Sequence, residues 1–269
     1  MLLRNPSFQI RSDQPPVERR LTIDNLRELI GLATQPFRSM IIVKWMALLD
    51  NEGLIYFSEH YAEEVAKAIR GNETILRIQL PGRKKAKNVR SFYTFIGYDA
   101  LQSLKEYFER ERDYPKPGEP IWLYGQAKRP VNKTGFIQAW LRLLRRARLI
   151  PRKIGTKTTR YGFNANNSRD LAISLLNTVN GLNPKCIEFW AGHEIDRLGY
   201  NQFYALKPDY VLEQYKIAEP YLNLLSHPSN EAATQEKEEM KEYIKHQDER
   251  IKRLEGQYET LMNTQITKG

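Results

Sequence analysis

The stretch I75-L-R-I-Q-L-P-G-R-K-K-A-K-N-V-R-S-F-Y-T-F-I96 holds two short apolar runs with a basic segment between them. Residues 75–80 and 91–96 alternate with a period of two, which is typical of β-strands that bury one face. The segment between them contains a Pro-Gly pair, a strong turn signal. We therefore predict an antiparallel β-hairpin whose tip carries a cluster of cations.

Helical patterns flank this hairpin on both sides. Before it, Thr22 is placed to cap a helix, an apolar helix follows Pro36, and residues 59–69 are amphipathic. After it, the patterns predict a short strand at 121–124 and helices at about 99–112, 132–148, 168–179, 184–191 and 209–225. The expected fold class is mainly α with a small antiparallel β-sheet (α+β).

Both ends differ in composition from residues 21–225, which we expect to form the folded domain. Residues 1–20 are rich in proline and charge and are typical of a linker or arm. Residues 229–265 are polar, but they contain an apolar heptad seam of about three repeats, which predicts a C-terminal helix and a candidate coiled coil. A solvated helical tail is the alternative, because Gln247 is polar at a seam position and Gly256 lowers the stability of the helix. The seam consists of Met240, Ile244, Gln247, Ile251, Leu254, Tyr258 and Leu261.

The composition points to an anionic partner. The 269 residues include 42 Lys and Arg against 32 Asp and Glu, a formal net charge of +10. Nucleic acid is the natural partner for such a charge, and ribosomes or anionic membranes would also fit it. The single Cys186 excludes an intramolecular disulfide, and the sequence contains neither a signal peptide nor a spanning apolar run. We therefore expect a cytoplasmic location.

One long segment contains no acidic residue. From Pro120 through Ser168 there is no Asp or Glu, whereas Lys and Arg recur throughout. Contacts with the DNA phosphate backbone would explain this tract, and a solvated basic face is the alternative. The candidate DNA-binding residues are Arg145, Arg146, Arg148, Arg152, Lys153, Lys157 and Arg160.

An arginine, a histidine and a tyrosine follow this tract, in N166-N-S-R-D170 and in G192-H-E-I-D-R-L-G-Y-N-Q-F-Y204. Cleavage of a phosphodiester without a metal needs a cation on the nonbridging oxygens, a nucleophile and a proton donor for the leaving oxygen. Arginine suits the first role, tyrosine the second, and histidine or lysine can move protons. A metal centre is disfavoured, because the four histidines show no ligand spacing.

These residues resemble the catalytic domain of tyrosine recombinases, the phage-integrase family, and particularly its archaeal-type integrases. The resemblance covers about residues 20–225 and is strongest in W190-A-G-H-E-I-D-R-L-G-Y-N-Q-F-Y204 and the helix that follows it. It implies a DNA-cleaving and DNA-joining enzyme that acts on double-stranded DNA as a synaptic tetramer, in integration or excision of a mobile element, without a cofactor.

The resemblance also implies residue roles. Arg169 would bind the scissile phosphate, and His193 would hydrogen-bond it or assist proton transfer. Tyr204 would attack the phosphorus to form a 3′-phosphotyrosyl link. Tyr200, seven residues after His193 rather than eleven, is the alternative nucleophile. A lysine of the hairpin would protonate the leaving 5′ oxygen, with Lys84 as first choice and two alternatives, Lys85 and Lys87.

The sequence departs from the family pattern in three places. The family's first arginine has no match in G53-L-I55, and Arg38 lies upstream of it. The family's H-x-x-R histidine is replaced by Asn166, which can donate hydrogen bonds but cannot supply a proton near neutral pH. The family's core-binding domain has no counterpart before residue 20, so we expect weaker DNA affinity.

The sequence also fits two other functions. The departures favour a catalytically impaired DNA-binding descendant of a recombinase, serving as a regulator or a relic. The C-terminal heptads favour an interaction protein for which DNA binding is incidental.

Overall fold

The computed structural model describes residues 20–82, 90–150, 163–195 and 202–226. Residues 1–19 of the predicted arm and the whole of 229–265 lie outside these ranges. The elements are α1 (Ile23–Leu32), α2 (Phe37–Met46), α3 (Asn51–His60), α4 (Ala62–Arg70), β1 (Leu76–Leu80), β2 (Phe92–Ile96), α5 (Tyr98–Arg110), β3 (Leu123–Tyr124), β4 (Arg129–Pro130), α6 (Lys133–Arg146), α7 (Asn167–Leu176), α8 (Pro184–Trp190), α9 (Phe203–Leu206) and α10 (Pro208–Leu222). The predicted class, mainly α with a small antiparallel sheet, is confirmed.

Helix α2 forms the centre of the core. Every residue from Ser39 to Met46 is buried, as expected for a helix that is apolar nearly all round. It contacts α1, α3, α5, α7, α10 and β2. The Trp45 indole donates to the Leu222 carbonyl at 2.7 Å, which ties the end of α10 to this helix.

Strands β1 and β2 form the predicted hairpin, with Leu76 opposite Ile96 and Leu80 opposite Phe92. The last residues of β1 alternate between buried and exposed, but all five residues of β2 are buried. The predicted alternation is therefore wrong for β2, because helices cover both of its faces. Thr94 donates to the Ala47 carbonyl just after α2, whereas the Tyr93 ring packs edge-on against a ring of α8.

The amphipathic segment predicted at 59–69 is not one helix. Helix α3 ends at His60 and α4 begins at Ala62, with Tyr61 between them at φ −118° and ψ 15°. The Tyr61 hydroxyl donates to the Gln79 carbonyl at 2.7 Å and accepts from the Gln79 amide at 2.6 Å. These two contacts with β1 hold the residue at which the chain changes direction.

Local capping explains where several helices begin. Thr22 accepts from the Asn25 amide, and the Asn25 side chain accepts from Thr22, so the predicted cap of α1 is present as a reciprocal capping box. Asp50 and Asn132 cap α3 and α6 in the same position. Within the ranges described, no helix is both long and apolar enough to cross a membrane.

Candidate active site

Arg169 lies in the first turn of α7 and is 8% exposed. Three hydrogen bonds fix the backbone ahead of it. The Trp140 indole of α6 donates to the Phe163 carbonyl at 2.7 Å, and the Asn164 side chain accepts from the amides of Asn166 and Asn167 at 2.7 and 3.2 Å. The start of α7 is thus held against α6, which presents Arg169 from a rigid helix end.

His193 follows the C-terminus of α8. Gly192 has a φ of +68°, which glycine adopts without strain. The Gly192 amide donates to the Phe189 carbonyl at 2.8 Å, and the His193 amide donates to the Glu188 carbonyl at 2.9 Å. This pair of bonds is a Schellman motif, so the local backbone fixes the position of His193 over the last turn of α8.

The structure brings Arg169 and His193 into direct contact. Arg169 Nη2 lies 2.6 Å from His193 Nε2 and 2.5 Å from the Ala191 carbonyl oxygen. On the other side of the ring, His193 Nδ1 lies 2.5 Å from Glu188 Oε2. Because a guanidinium can only donate, Nε2 accepts, and the ring proton belongs on Nδ1. The result is a continuous chain of contacts from carboxylate to imidazole to guanidinium.

Tyr204 lies on α9 and packs against the same helix that leads to His193. Its ring stacks on Phe189 at a centroid distance of 4.5 Å, with the planes 15° apart. Its carbonyl accepts from the Tyr93 hydroxyl of β2 at 2.7 Å. No hydrogen bond joins the half-buried Tyr204 side chain to Arg169 or His193. The stacking on Phe189 and the hydrogen bond from Tyr93 therefore hold Tyr204 beside α8.

The end of the hairpin lies against the histidine segment. Gly192 faces the Phe92 ring so closely that a Cβ at this position would overlap it. Phe92 pairs with Leu80 at the last rung of the sheet. The hairpin lysines predicted as proton donors are Lys84, Lys85 and Lys87, and they lie outside the described ranges. The alternative nucleophile, Tyr200, also lies outside them.

A buried lysine lies behind the start of α7. Lys44 of α2 is 1% exposed, and its Nζ donates to the Asn166 side chain at 3.2 Å and to the Leu49 carbonyl at 2.5 Å. Asn166, the residue in the H-x-x-R position, is therefore engaged within the protein. Arg38 occupies the first turn of α2, roughly 9 Å along the helix axis from Lys44.

The described part of the basic tract is only partly open to solvent. Arg146 and Arg148 are exposed, and Arg145 is half-buried. Arg146 also donates to the Leu32 carbonyl at 3.1 Å, at the end of α1. The other candidate DNA-binding residues, Arg152, Lys153, Lys157 and Arg160, lie outside the described ranges.

Four residues of this region were not predicted from the sequence. Lys44 could have been recognised from the sequence, because it is the one charged residue in M40-I-I-V-K-W-M-A-L-L49. No sequence pattern indicated the contacts made by Glu188, Phe92 and Tyr93, because these contacts depend on how α8, β2 and α9 pack together.

Comparison with known proteins adds a likeness of fold. No family model and no curated protein matches the sequence. Among solved structures, XerA recombinase is similar at 14% identity and a TM-score of 0.43, over 79% of this chain and 66% of that one. The Tn1549 transposon integrase, solved with two circular intermediate DNAs, is similar at 16% identity and a TM-score of 0.42, over 84% and 66%. At such identity no residue role passes from one chain to another.

Proposed function

We propose that this chain is a site-specific DNA recombinase or integrase that cleaves and rejoins DNA strands through a 3′-phosphotyrosyl intermediate, in integration or excision of a mobile element. The observation that carries the proposal is the contact of Arg169 with His193 at the end of α8, on the helix against which Tyr204 stacks. Double-stranded DNA is the proposed substrate, with a tetramer of this chain as the proposed synaptic assembly.

Arg169 is the proposed ligand of the scissile phosphate. A guanidinium stays charged at all relevant pH values and binds phosphate oxygens through a rigid fork. The near-complete burial of Arg169 supports this role, because charge stabilisation is stronger where water is excluded. Its contacts with Ala191 and His193 orient the fork before DNA arrives.

Tyr204 is the proposed nucleophile. Its oxygen would form a bond to phosphorus while the bond from phosphorus to the 5′ oxygen breaks, which leaves a 5′-hydroxyl and keeps the energy of the phosphodiester for rejoining. A lysine of residues 83–89, first Lys84, would supply the proton to the 5′ oxygen. The contact of Phe92 with Gly192 supports that assignment, because it joins the described end of the hairpin to the histidine segment.

A covalent adduct on nicked DNA tests the proposal. A labelled duplex with a nick beside the cleavage point, taken from the flanks of the encoding element, traps a cleaved strand because the short product diffuses away. We expect wild type to form an adduct that survives a denaturing gel and Tyr204→Phe to form none. Loss of the adduct only in Tyr200→Phe would support the same class of enzyme with Tyr200 as its nucleophile.

A catalytically impaired DNA-binding descendant is the second candidate. The observation that favours it is the engagement of Asn166 by Lys44, together with the absence of an arginine in G53-L-I55 of α3. Removal of one phosphate-binding cation costs several kcal/mol of transition-state stabilisation. Binding of the same DNA by wild type with no adduct in any variant would establish this second candidate.

A further inference from the structure

The contact of Glu188 with His193 has no part in the roles assigned so far. We infer that Glu188 is a positioning residue that orients the His193 ring by accepting a hydrogen bond from its Nδ1–H, so that Nε2 takes up the proton of the attacking tyrosine. The catalytic half of this inference rests on the proposed function. The protonated position of the ring does not, and it can be measured on the free protein.

Two bonds between the same two residues fix the imidazole. The backbone amide of His193 donates to the Glu188 carbonyl at 2.9 Å, and the ring Nδ1 lies 2.5 Å from the Glu188 carboxylate. The first bond belongs to the helix end, so the ring is anchored to α8 by backbone and side chain together. Glu188 therefore determines which edge of the ring faces Arg169.

The neighbours of the ring select one tautomer from both sides. Which nitrogen carries the proton is set by the hydrogen bond that the other nitrogen makes. Glu188 as a carboxylate can only accept, and Arg169 can only donate. A proton on Nε2 would point at the guanidinium 2.6 Å away, whereas a proton on Nδ1 satisfies both contacts.

This arrangement gives a complete proton balance for strand cleavage. A bound phosphate competes for the Arg169 N–H that now faces Nε2, and loss of that bond opens the Nε2 lone pair to the Tyr204 hydroxyl. The tyrosine proton then moves to Nε2 as the oxygen bonds to phosphorus. The Glu188 carboxylate offsets the positive charge of the resulting imidazolium, and the leaving 5′ oxygen is protonated by the hairpin lysine.

Nitrogen-15 NMR of histidine-labelled full-length protein tests the tautomer without DNA. Long-range nitrogen–proton correlations distinguish a proton on Nδ1 from one on Nε2, and His193→Gln identifies the signal among the four histidines. We expect Nδ1–H in wild type and a shifted Nδ1–H signal in Glu188→Ala, because that proton loses its carboxylate acceptor while Arg169 still donates to Nε2. Glu194→Ala is the matched control, because this neighbouring carboxylate is exposed. An Nε2–H ring in wild type, or an unchanged ring in Glu188→Ala, would overturn the inference.

Single-turnover cleavage tests the consequence. Glu188→Ala should slow adduct formation by about 10–100-fold, while DNA affinity stays within about 2-fold of wild type. Glu188→Gln, which keeps an acceptor for Nδ1–H, should retain the tautomer and recover part of the rate. Cleavage by Glu188→Ala at the wild-type rate would contradict the inference. If wild type forms no adduct, the proposed function fails and the NMR result alone decides the role of Glu188.

Discussion

At the scale of single residues, the candidate site depends on close contacts that the addition or removal of a single side-chain atom would disrupt. Gly192 has a φ of +68° and lies against the Phe92 ring. Tyr93 holds the Tyr204 backbone through one hydroxyl. Arg169 and His193 were predicted because phosphodiester cleavage calls for such residue types and because their order resembles that of a known family. Glu188 was not predicted, because a carboxylate five residues before a histidine indicates no contact unless the position of the helix end is known.

Gly192→Ala should destabilise the fold and remove cleavage. A left-handed backbone costs an alanine about 1–2 kcal/mol, and overlap with a packed ring adds about 1–3 kcal/mol. We expect urea unfolding to report a loss of about 2–5 kcal/mol. Gly181→Ala is the control, since Gly181 has a φ of +80° and open space around its Cα. Equal losses in the two variants would show that the Phe92 contact contributes nothing.

Tyr93→Phe should slow cleavage of nicked DNA more than a control variant with a comparable loss of folding free energy. The change removes the hydroxyl that donates to the Tyr204 carbonyl and keeps the ring that packs on Phe189. The lost hydrogen bond should cost about 0.5–1.5 kcal/mol of folding free energy. Tyr107→Phe is the control, since it removes a hydroxyl that donates to the Leu123 carbonyl and accepts from the Leu123 amide on another part of the fold. The prediction fails if both variants cleave nicked DNA at the same rate.

At the scale of elements, α10 closes the core through polar contacts as well as apolar ones. The Tyr215 hydroxyl donates to the Met46 carbonyl, and the Glu219 carboxylate accepts from the Tyr98 amide at the start of α5. The sequence predicted α10, the hairpin and most helices, because their apolar periodicity is strong. It did not predict the break at Tyr61 or the double-sided burial of β2, because both arise from contacts between elements that are distant along the chain.

Glu219→Gln should stabilise the protein at neutral pH. Burial raises the pKa of the Glu219 carboxyl above its ordinary value of 4.5, with a smaller contribution from Asp99, so the folded state disfavours the charged form. The penalty is present at pH values above the raised pKa and vanishes as pH falls below 4.5. Urea unfolding at pH 7 and at pH 4 should therefore show a gain that shrinks with acid.

The exposed Glu213→Gln on the same helix is the control, and it should change stability little at either pH. A gain from Glu219→Gln that is equal at pH 7 and pH 4 would contradict the burial argument.

At the scale of the whole molecule, the net charge of the sequence points to an anionic partner. A net charge of +10 and a segment of nearly fifty residues without an acid fit a polyanion better than an ordinary mixed surface. An anionic partner could be predicted from the sequence, because net charge and composition do not depend on the fold. The placement of the cations was not, since Arg145 is half-buried while Arg148 just beyond α6 is exposed.

Arg148→Gln should weaken DNA binding and make it less sensitive to salt. Each phosphate contact that is lost lowers the slope of log affinity against log salt concentration by about 0.9. Fluorescence anisotropy of a labelled duplex between about 50 and 200 mM salt measures that slope. Arg110→Gln, an exposed arginine at the end of α5 and outside the acid-free tract, is the control. Equal slopes for the two variants would remove Arg148 from the DNA interface.

The proposed covalent bond between Tyr204 and DNA can be located directly. The trapped complex on nicked DNA is digested with nuclease and protease, and the nucleotide-bearing peptide is sequenced by mass spectrometry. We expect a 3′-phosphonucleotide on Tyr204, with the amount reduced when Arg169 is replaced by glutamine. A nucleotide on Tyr200, or a complex that binds DNA and yields no modified peptide, would contradict it.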